Sequence, residues 1–150
     1  MKIVKAWEEE GVQVPAPYSR TIKVFFAPDK RGVEELTFSF ALIDPGGQTD
    51  CHAHDRSELI YVVSGRGVYV SDGESFDVQG DLVIWAAAGE KHQVKNTGSE
   101  TLKLATVFVP AGHLVVQRLG GLHFLGRDGH AVGRPTLQRD QQLGWHRVRL

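Results

Sequence analysis

The strongest constraint on this chain is a rhythm. Between Thr21 and Pro110, short apolar runs recur at intervals of about 8 to 12 residues, and no stretch between them has helical period. The run from Leu36 to Leu42 sets Leu36, Phe38, Phe40 and Leu42 against Thr37, Ser39 and Ala41. That is period two, so a strand is expected with its apolar face buried. "ELIYVVSG" is rich in β-branched and aromatic residues, as strands are. "GVYVSDGESFDV" reads as a hairpin that turns at Asp72-Gly73. "GDLVIWAAAG" and "HQVKNTGSE" add a strand, a turn and a strand, and "TLKLATVFVP" closes the series at Pro110. Seventeen glycines in 150 residues suit a turn-rich chain of this kind and not a helical bundle. The expectation is an all-β fold, a sandwich or small barrel.

The flanks read differently. "VPAPYSR" is an extended arm, and "TIKVFFAP" a short strand that stops at Pro28. Beyond residue 112, "GHLVVQRLGGLHFLG" offers one more strand and "PTLQRDQQLG" a short helix. "WHRVRL" is a last strand or a loose end. The expected organisation is one structural domain. An arm and first strand (1–35) precede a barrel (36–112), and an extension (113–150) follows it.

Charge excludes some partners. Seventeen basic and 18 acidic residues give a net charge of −1, which recruits neither a nucleic-acid backbone nor an anionic membrane in bulk. No run reaches the roughly 20 apolar residues needed to span a bilayer. The opening "MKIVKAWEEEGVQVP" lacks an apolar signal region. The single cysteine, Cys51, permits no internal disulfide. A cytoplasmic, reducing setting is expected.

Chemistry concentrates in "CHAHDRSE". Residues two apart on a strand share a face, so His52 and His54 point the same way, and Glu58 has the same parity. His92 opens another strand after a turn at Gly89. Two imidazoles and a carboxylate converging on one point, with one further ligand, suit a first-row divalent metal. A lone histidine on a strand face is more often a satisfied polar residue. Cys51 has the opposite parity and reads as a small buried hydrophobe.

Gly46, His52, His54, Glu58 and Gly65 fit every fixed position of G-x5-H-x-H-x3-E-x6-G, the first motif of the cupin family. Gly80, Gly89, His92 and Asn96 resemble the second motif, with Ala87 in place of its usual proline and one extra residue after Gly80. The sequence therefore resembles a small single-domain cupin over about residues 36 to 110. The resemblance implies a jelly-roll β-barrel with a metal inside it. It carries the ligand role onto His52, His54, Glu58 and His92, and structural roles onto Asn96 and the glycines.

Three neutral imidazoles and one carboxylate would leave a divalent ion with surplus positive charge and open positions. Imidazole nitrogen favours one divalent transition metal (Mn, Fe, Ni, Co, Cu or Zn) over Mg or Ca. Such an ion polarises a carbonyl as a Lewis acid. Parity with the ligands places Ile60, Val62 and Val94 toward a substrate pocket, and Phe38, Phe40 and Trp85 are further candidates whose parity no ligand fixes. Arg20 is the candidate partner for a carboxylate. Tyr61 has outer-face parity. His113, His123, His130 and His146 match no metal-ligand spacing and read as surface or lid residues.

The first functional reading is a metalloenzyme acting on a small anionic or carbonyl-bearing molecule. Dioxygenase, isomerase and lyase chemistries share this site, and the catalytic residues are not identified. The alternative is a non-catalytic small-ligand binder or sensor, and a storage role ranks last. Barrel edges and extended arms need covering, and family members commonly pair through such segments, so a homodimer is expected. Light scattering should then return the mass of two chains, and the mass of one chain would contradict it.

Overall fold

The computed structural model describes residues 1–116 and 122–125. They form eleven strands: β1 (Val12–Val14), β2 (Arg20–Phe26), β3 (Thr37–Ile43), β4 (Ser57–Ser64), β5 (Arg66–Ser71), β6 (Glu74–Gln79), β7 (Val83–Ala86), β8 (His92–Asn96), β9 (Leu102–Val109), β10 (His113–Val116) and β11 (Leu122–Leu125). Among the described residues no helix is long and apolar enough to cross a membrane.

A six-stranded sheet runs in the order β1-β2-β3-β9-β4-β7 and faces a three-stranded sheet, β6-β5-β8. Isolated bridges from Gln48 to Lys95 and from His52 to His92 add the segment after β3 to the free edge of β8. The chain thus alternates between the two sheets, which is the winding of a jelly roll. That winding sets stretches distant in sequence side by side. The extension that sequence reasoning gave one strand holds two, β10 and β11, paired antiparallel. The helix expected at 135–144 and the "WHRVRL" segment lie outside the described residues.

One face assignment is reversed. On β3 the polar positions point inward: Thr37 is 0% and Ser39 2% exposed. Phe38 and Phe40 lie on the other face and pack with Phe25, at ring-centroid distances of 4.7 to 5.6 Å. Period two divides a strand into two faces without saying which one the barrel encloses. Here each enclosed hydroxyl has a partner. Ser39 Oγ and Thr106 Oγ1 of neighbouring β9 share a hydrogen bond of 2.6 Å. Thr37 donates to the Gly112 carbonyl at 2.8 Å. Buried polar groups paired in this way avoid the cost of desolvation.

Ile43, Ile60, Val62, Tyr69, Val78, Val94, Leu102 and Leu104 fill one part of the barrel. The rest of the interior holds a cavity.

Two motif residues hold the frame. At Gly65, between β4 and β5, φ is +88° and an added Cβ would lie 2.7 Å from the Thr101 carbonyl oxygen, so only glycine fits. Asn96, buried at the end of β8, donates to the carbonyls of Ile43 and Glu100, both at 2.8 Å, and accepts from Gly98 N–H at 2.9 Å. It ties together three stretches that share no ladder. Asn96→Ala removes all three bonds and strands the buried Ile43 carbonyl, which should cost about 1–3 kcal/mol in chemical denaturation. A loss within experimental error would mean that water replaces the amide.

Candidate metal centre

Two stretches forty residues apart in sequence meet as a backbone pair. His92 N–H donates to the His52 carbonyl at 2.8 Å, and His52 N–H to the His92 carbonyl at 3.1 Å. His54 follows two residues later, and its carbonyl accepts from Gly89 N–H at 2.8 Å. Arg56 fixes the turn that leads on to β4. It pairs with Asp55 at 2.7 Å and donates to the carbonyls of Pro110 and Ala111 at 3.2 and 2.5 Å. Glu58, the second residue of β4, then rejoins the face of the histidines.

One donor atom from each of His52, His54, Glu58 and His92 lies within 4.8 Å of the others. Metal–ligand bonds to nitrogen and oxygen are about 2.1 Å, so donors this close can reach one ion. The ring centroids of His52 lie 4.6 Å from those of His54 and 4.7 Å from those of His92. His54, Glu58 and His92 are all 5% exposed or less.

The outer contacts fix which nitrogens face inward. His52 Nδ1 lies 2.8 Å from the Asp50 carbonyl, and His92 Nδ1 lies 3.1 Å from the Glu90 carbonyl. A carbonyl only accepts, so each Nδ1 carries the proton, and each Nε2 of the neutral ring presents a lone pair to the centre. Glu58 Oε2 lies 3.1 Å from His92 Nε2 and 3.4 Å from His54 Nε2. It is buried and makes no hydrogen bond. Lone pairs facing at these distances repel unless positive charge lies between them.

Titration follows the same logic. Burial, with His54 and His92 close by, pushes the His52 imidazole down to about 3, so the ring is neutral at neutral pH. Burial alone would raise the Glu58 carboxyl. The adjacent His54 and His92 outweigh it and hold the group down at about 2, so Glu58 is ionised. Burial also acts to lower His92, and the Glu58 carboxylate outweighs it and raises that ring. The centre is built to hold positive charge, whether a proton on His92 or a metal ion.

The cavity beside this cluster encloses about 40 Å³. That exceeds the roughly 10–15 Å³ one water needs. Arg20, Ile60 and Val94, all expected near a substrate, line it. Val62 does not; it lies one alternation further along β4, packed in the core at 0% exposure. Phe40 is excluded by the reversed face of β3, and Ser39 and Ala41 take its place. Thr49 and Thr106 also line the wall, with hydroxyls that parity with the ligands does not point to. Arg20 opens β2 at 3% exposure and reaches Asp50 Oδ1 at 3.2 Å. Cys51, expected to be a buried hydrophobe, is exposed.

Two acidic residues brace the histidine pair. Asp50 and Glu90 each stand two residues before a histidine and give it their backbone carbonyl. Their carboxylates are themselves held. Asp50 is held by Arg20. Glu90 accepts from Tyr69 and Ser71 hydroxyls at 3.0 and 2.7 Å and from Ala87 N–H at 3.0 Å. Tyr69 in turn stacks on His92, with centroids 5.7 Å apart. A repeated acid-x-His step is visible in the sequence at 50–52 and 90–92, and is the signal that could have found them.

Comparison with known proteins agrees with this architecture. The model of the family described as "Cupin domain" matches residues 39–110. Residues 39–110 thus match the cupin domain, and the barrel has the cupin fold. The oxalate-binding protein of Thermotoga maritima is 27% identical over 73 residues, 48% of this chain and 60% of its own length. The match therefore spans less than two thirds of that relative. In solved structures, a predicted oxalate decarboxylase from Thermotoga maritima superposes with a TM-score of 0.66 at 19% identity, covering 73% of this chain and 99% of its own. The polyketide cyclase RemF from Streptomyces resistomycificus superposes at 0.64 with 21% identity, covering 79% of this chain and 90% of its own. At these identities the superpositions establish the fold.

The brace on His92 has a direct readout. In the metal-free protein at a pH above the titration of His92, long-range 1H–15N correlation should show His52 and His92 as Nδ1–H tautomers. Glu90→Ala should leave His52 unchanged and turn His92 into a tautomer mixture. An unaltered His92 signal would show that the residue 90 carbonyl, which the variant keeps, holds the ring without the carboxylate anchor.

Proposed function

We propose that this cupin holds one divalent transition metal on His52, His54, Glu58 and His92, and that a small anionic or carbonyl-bearing molecule binds beside it. The observation that carries the reading is the buried carboxylate oxygen facing imidazole lone pairs, an arrangement that asks for a cation at its centre. The donor set suits Mn, Fe, Ni, Co, Cu or Zn. When bound, such an ion would supply a Lewis acid for a carbonyl or carboxylate oxygen.

The protein's own groups argue for the ligand class. Arg20 brings positive charge to the wall, partly offset by Asp50. Ile60, Val94, Leu104 and Phe108 leave the rest of the wall apolar, which strengthens charge recognition by excluding water. A space of about 40 Å³ admits only a few atoms beyond the ion. A two- or three-carbon carboxylate fits that limit, and the oxalate-binding relative is consistent with it. We read the protein as a metalloenzyme for such a molecule, with dioxygenase and isomerase or lyase chemistry as its options.

One observation favours a second reading, binding without turnover. Apart from Arg20 and the candidate ligands, no ionisable side chain lines the cavity among the described residues. Reactions that need a separate general acid or base lack one there.

Elemental analysis of protein purified without added metal tests the site. Wild type should carry about one transition-metal ion per chain, and His52→Ala and His92→Ala only background. Equal metal in all three overturns the reading. Loaded protein offered oxalate, glyoxylate and pyruvate should then bind at least one, weakened in Arg20→Ala. Product formation or oxygen uptake marks the enzyme, and binding alone marks the second reading.

A further inference from the structure

The six-stranded sheet has two faces, and only one looks into the barrel. Glu58 and Ile60 of β4 and Thr106 and Phe108 of β9 turn toward the cavity. The residues that alternate with them turn outward. Through the ladder these outward residues form two rows across four strands. The first row is Phe38, Val107, Leu59 and Trp85, and the second is Phe40, Ala105, Tyr61 and Val83. Neither row contains a charged side chain. An antiparallel sheet with one face on a core commonly carries polar residues on the other. This outer face is apolar instead. Trp85 and Val83 are 58% and 59% exposed, and the rest of the two rows is half-buried. Charge begins only at the rim. Lys103, one row further along, lies 4.6 Å from the centre of the Phe40 ring, and the Tyr61 hydroxyl donates to Asp81 at 2.5 Å.

Size and chemistry together indicate what covers the face. Strands about 4.8 Å apart and rows about 7 Å apart give a patch on the order of 400 Å² with its margins. Apolar patches of this size on a protein surface mark interaction sites. The N-terminal arm extends the patch. Lys23, the ladder partner of Phe40, donates to the Ala6 carbonyl at 3.4 Å, which brings Trp7, 78% exposed, to its margin. With Trp7 included, two such faces would bury on the order of 1,000 Å², the size a specific interface needs. A nucleic acid or a charged peptide would find no charge in the rows to pair with. A second copy of the same face meets both requirements, because apolar surface covers apolar surface and two sheets stack at about 10 Å. We propose that the outer face of the six-stranded sheet packs on the same face of a second chain about a two-fold axis. The joint of the dimer is then a sheet face, not a strand edge or a crossing arm. Leu59 and Val107 alternate with Glu58 and Phe108, so the partner stands behind the cavity wall.

The inference does not depend on the metal reading, and its test needs no metal. Sedimentation velocity is run on the full chain and on Trp85→Glu, Val83→Lys and Phe76→Glu. Phe76 is also exposed, at 51%, but belongs to the three-stranded sheet. Wild type and Phe76→Glu should sediment as two chains. Trp85→Glu and Val83→Lys should each weaken the dimer by about tenfold or more and keep the wild-type circular dichroism. The two sites are substituted separately, so that either folded variant decides. A wild type of single-chain mass overturns the proposal, and flotation of that chain with phosphatidylcholine vesicles would assign the face to a lipid surface. A dimer that both substitutions leave intact also overturns it, since the contact then lies elsewhere. Dissociation by Phe76→Glu in their place would move the contact to the smaller sheet, with the same consequence.

Discussion

The reciprocal backbone bonds between His52 and His92 are the joint on which the rest of this structure turns. They join the segment after β3 to β8, so they close the smaller sheet and set two imidazoles side by side in one step. Side-chain chemistry then follows from backbone geometry. The residues two positions earlier, Asp50 and Glu90, present their carbonyls to the two rings, which fixes both tautomers without a separate scaffold. Glu58 reaches the same point because the turn before β4 is pinned by Arg56 to the end of β9.

That joint also explains the division of the barrel interior. Apolar side chains fill one part, where Ile43, Val62 and Leu102 are fully buried. In the other part, Thr37, Ser39 and Thr106 replace them; Ser39 and Thr106 satisfy each other, Thr37 bonds the Gly112 carbonyl, and a small cavity remains beside Ser39 and Thr106. A charged cluster in a low-dielectric surrounding interacts strongly with whatever ion or ligand enters. The same surrounding penalises an uncompensated carboxylate, so the balance of charge at Glu58 bears directly on the stability of this region.

Much of this was legible in the sequence because the relevant signals are local. The His-x-His step with Glu58 four residues on, the Asp72-Gly73 turn and the spacing of the runs each depend on neighbouring residues alone. The face of β3 was not legible. Phe38 and Phe40 are the larger and more apolar residues, yet they pack against Phe25, while the barrel encloses Thr37 and Ser39. Their hydroxyls are buried because β9 brings Thr106 alongside, a pairing across 67 residues that no local pattern encodes. Phe40 failed as a pocket residue for that reason. Val62 failed for another: parity set it on the correct face but could not say how deep the cavity reaches. Cys51 was read as buried and is exposed, because parity says nothing of depth.

The central claim is that three imidazoles and Glu58 surround one ion. X-ray absorption at the metal edge of the loaded protein tests it most directly. The account predicts a first shell of nitrogen and oxygen only, with multiple scattering from three imidazole rings that falls to two in His54→Ala. A sulfur neighbour from Cys51, or a spectrum unchanged by loss of His54, would contradict it.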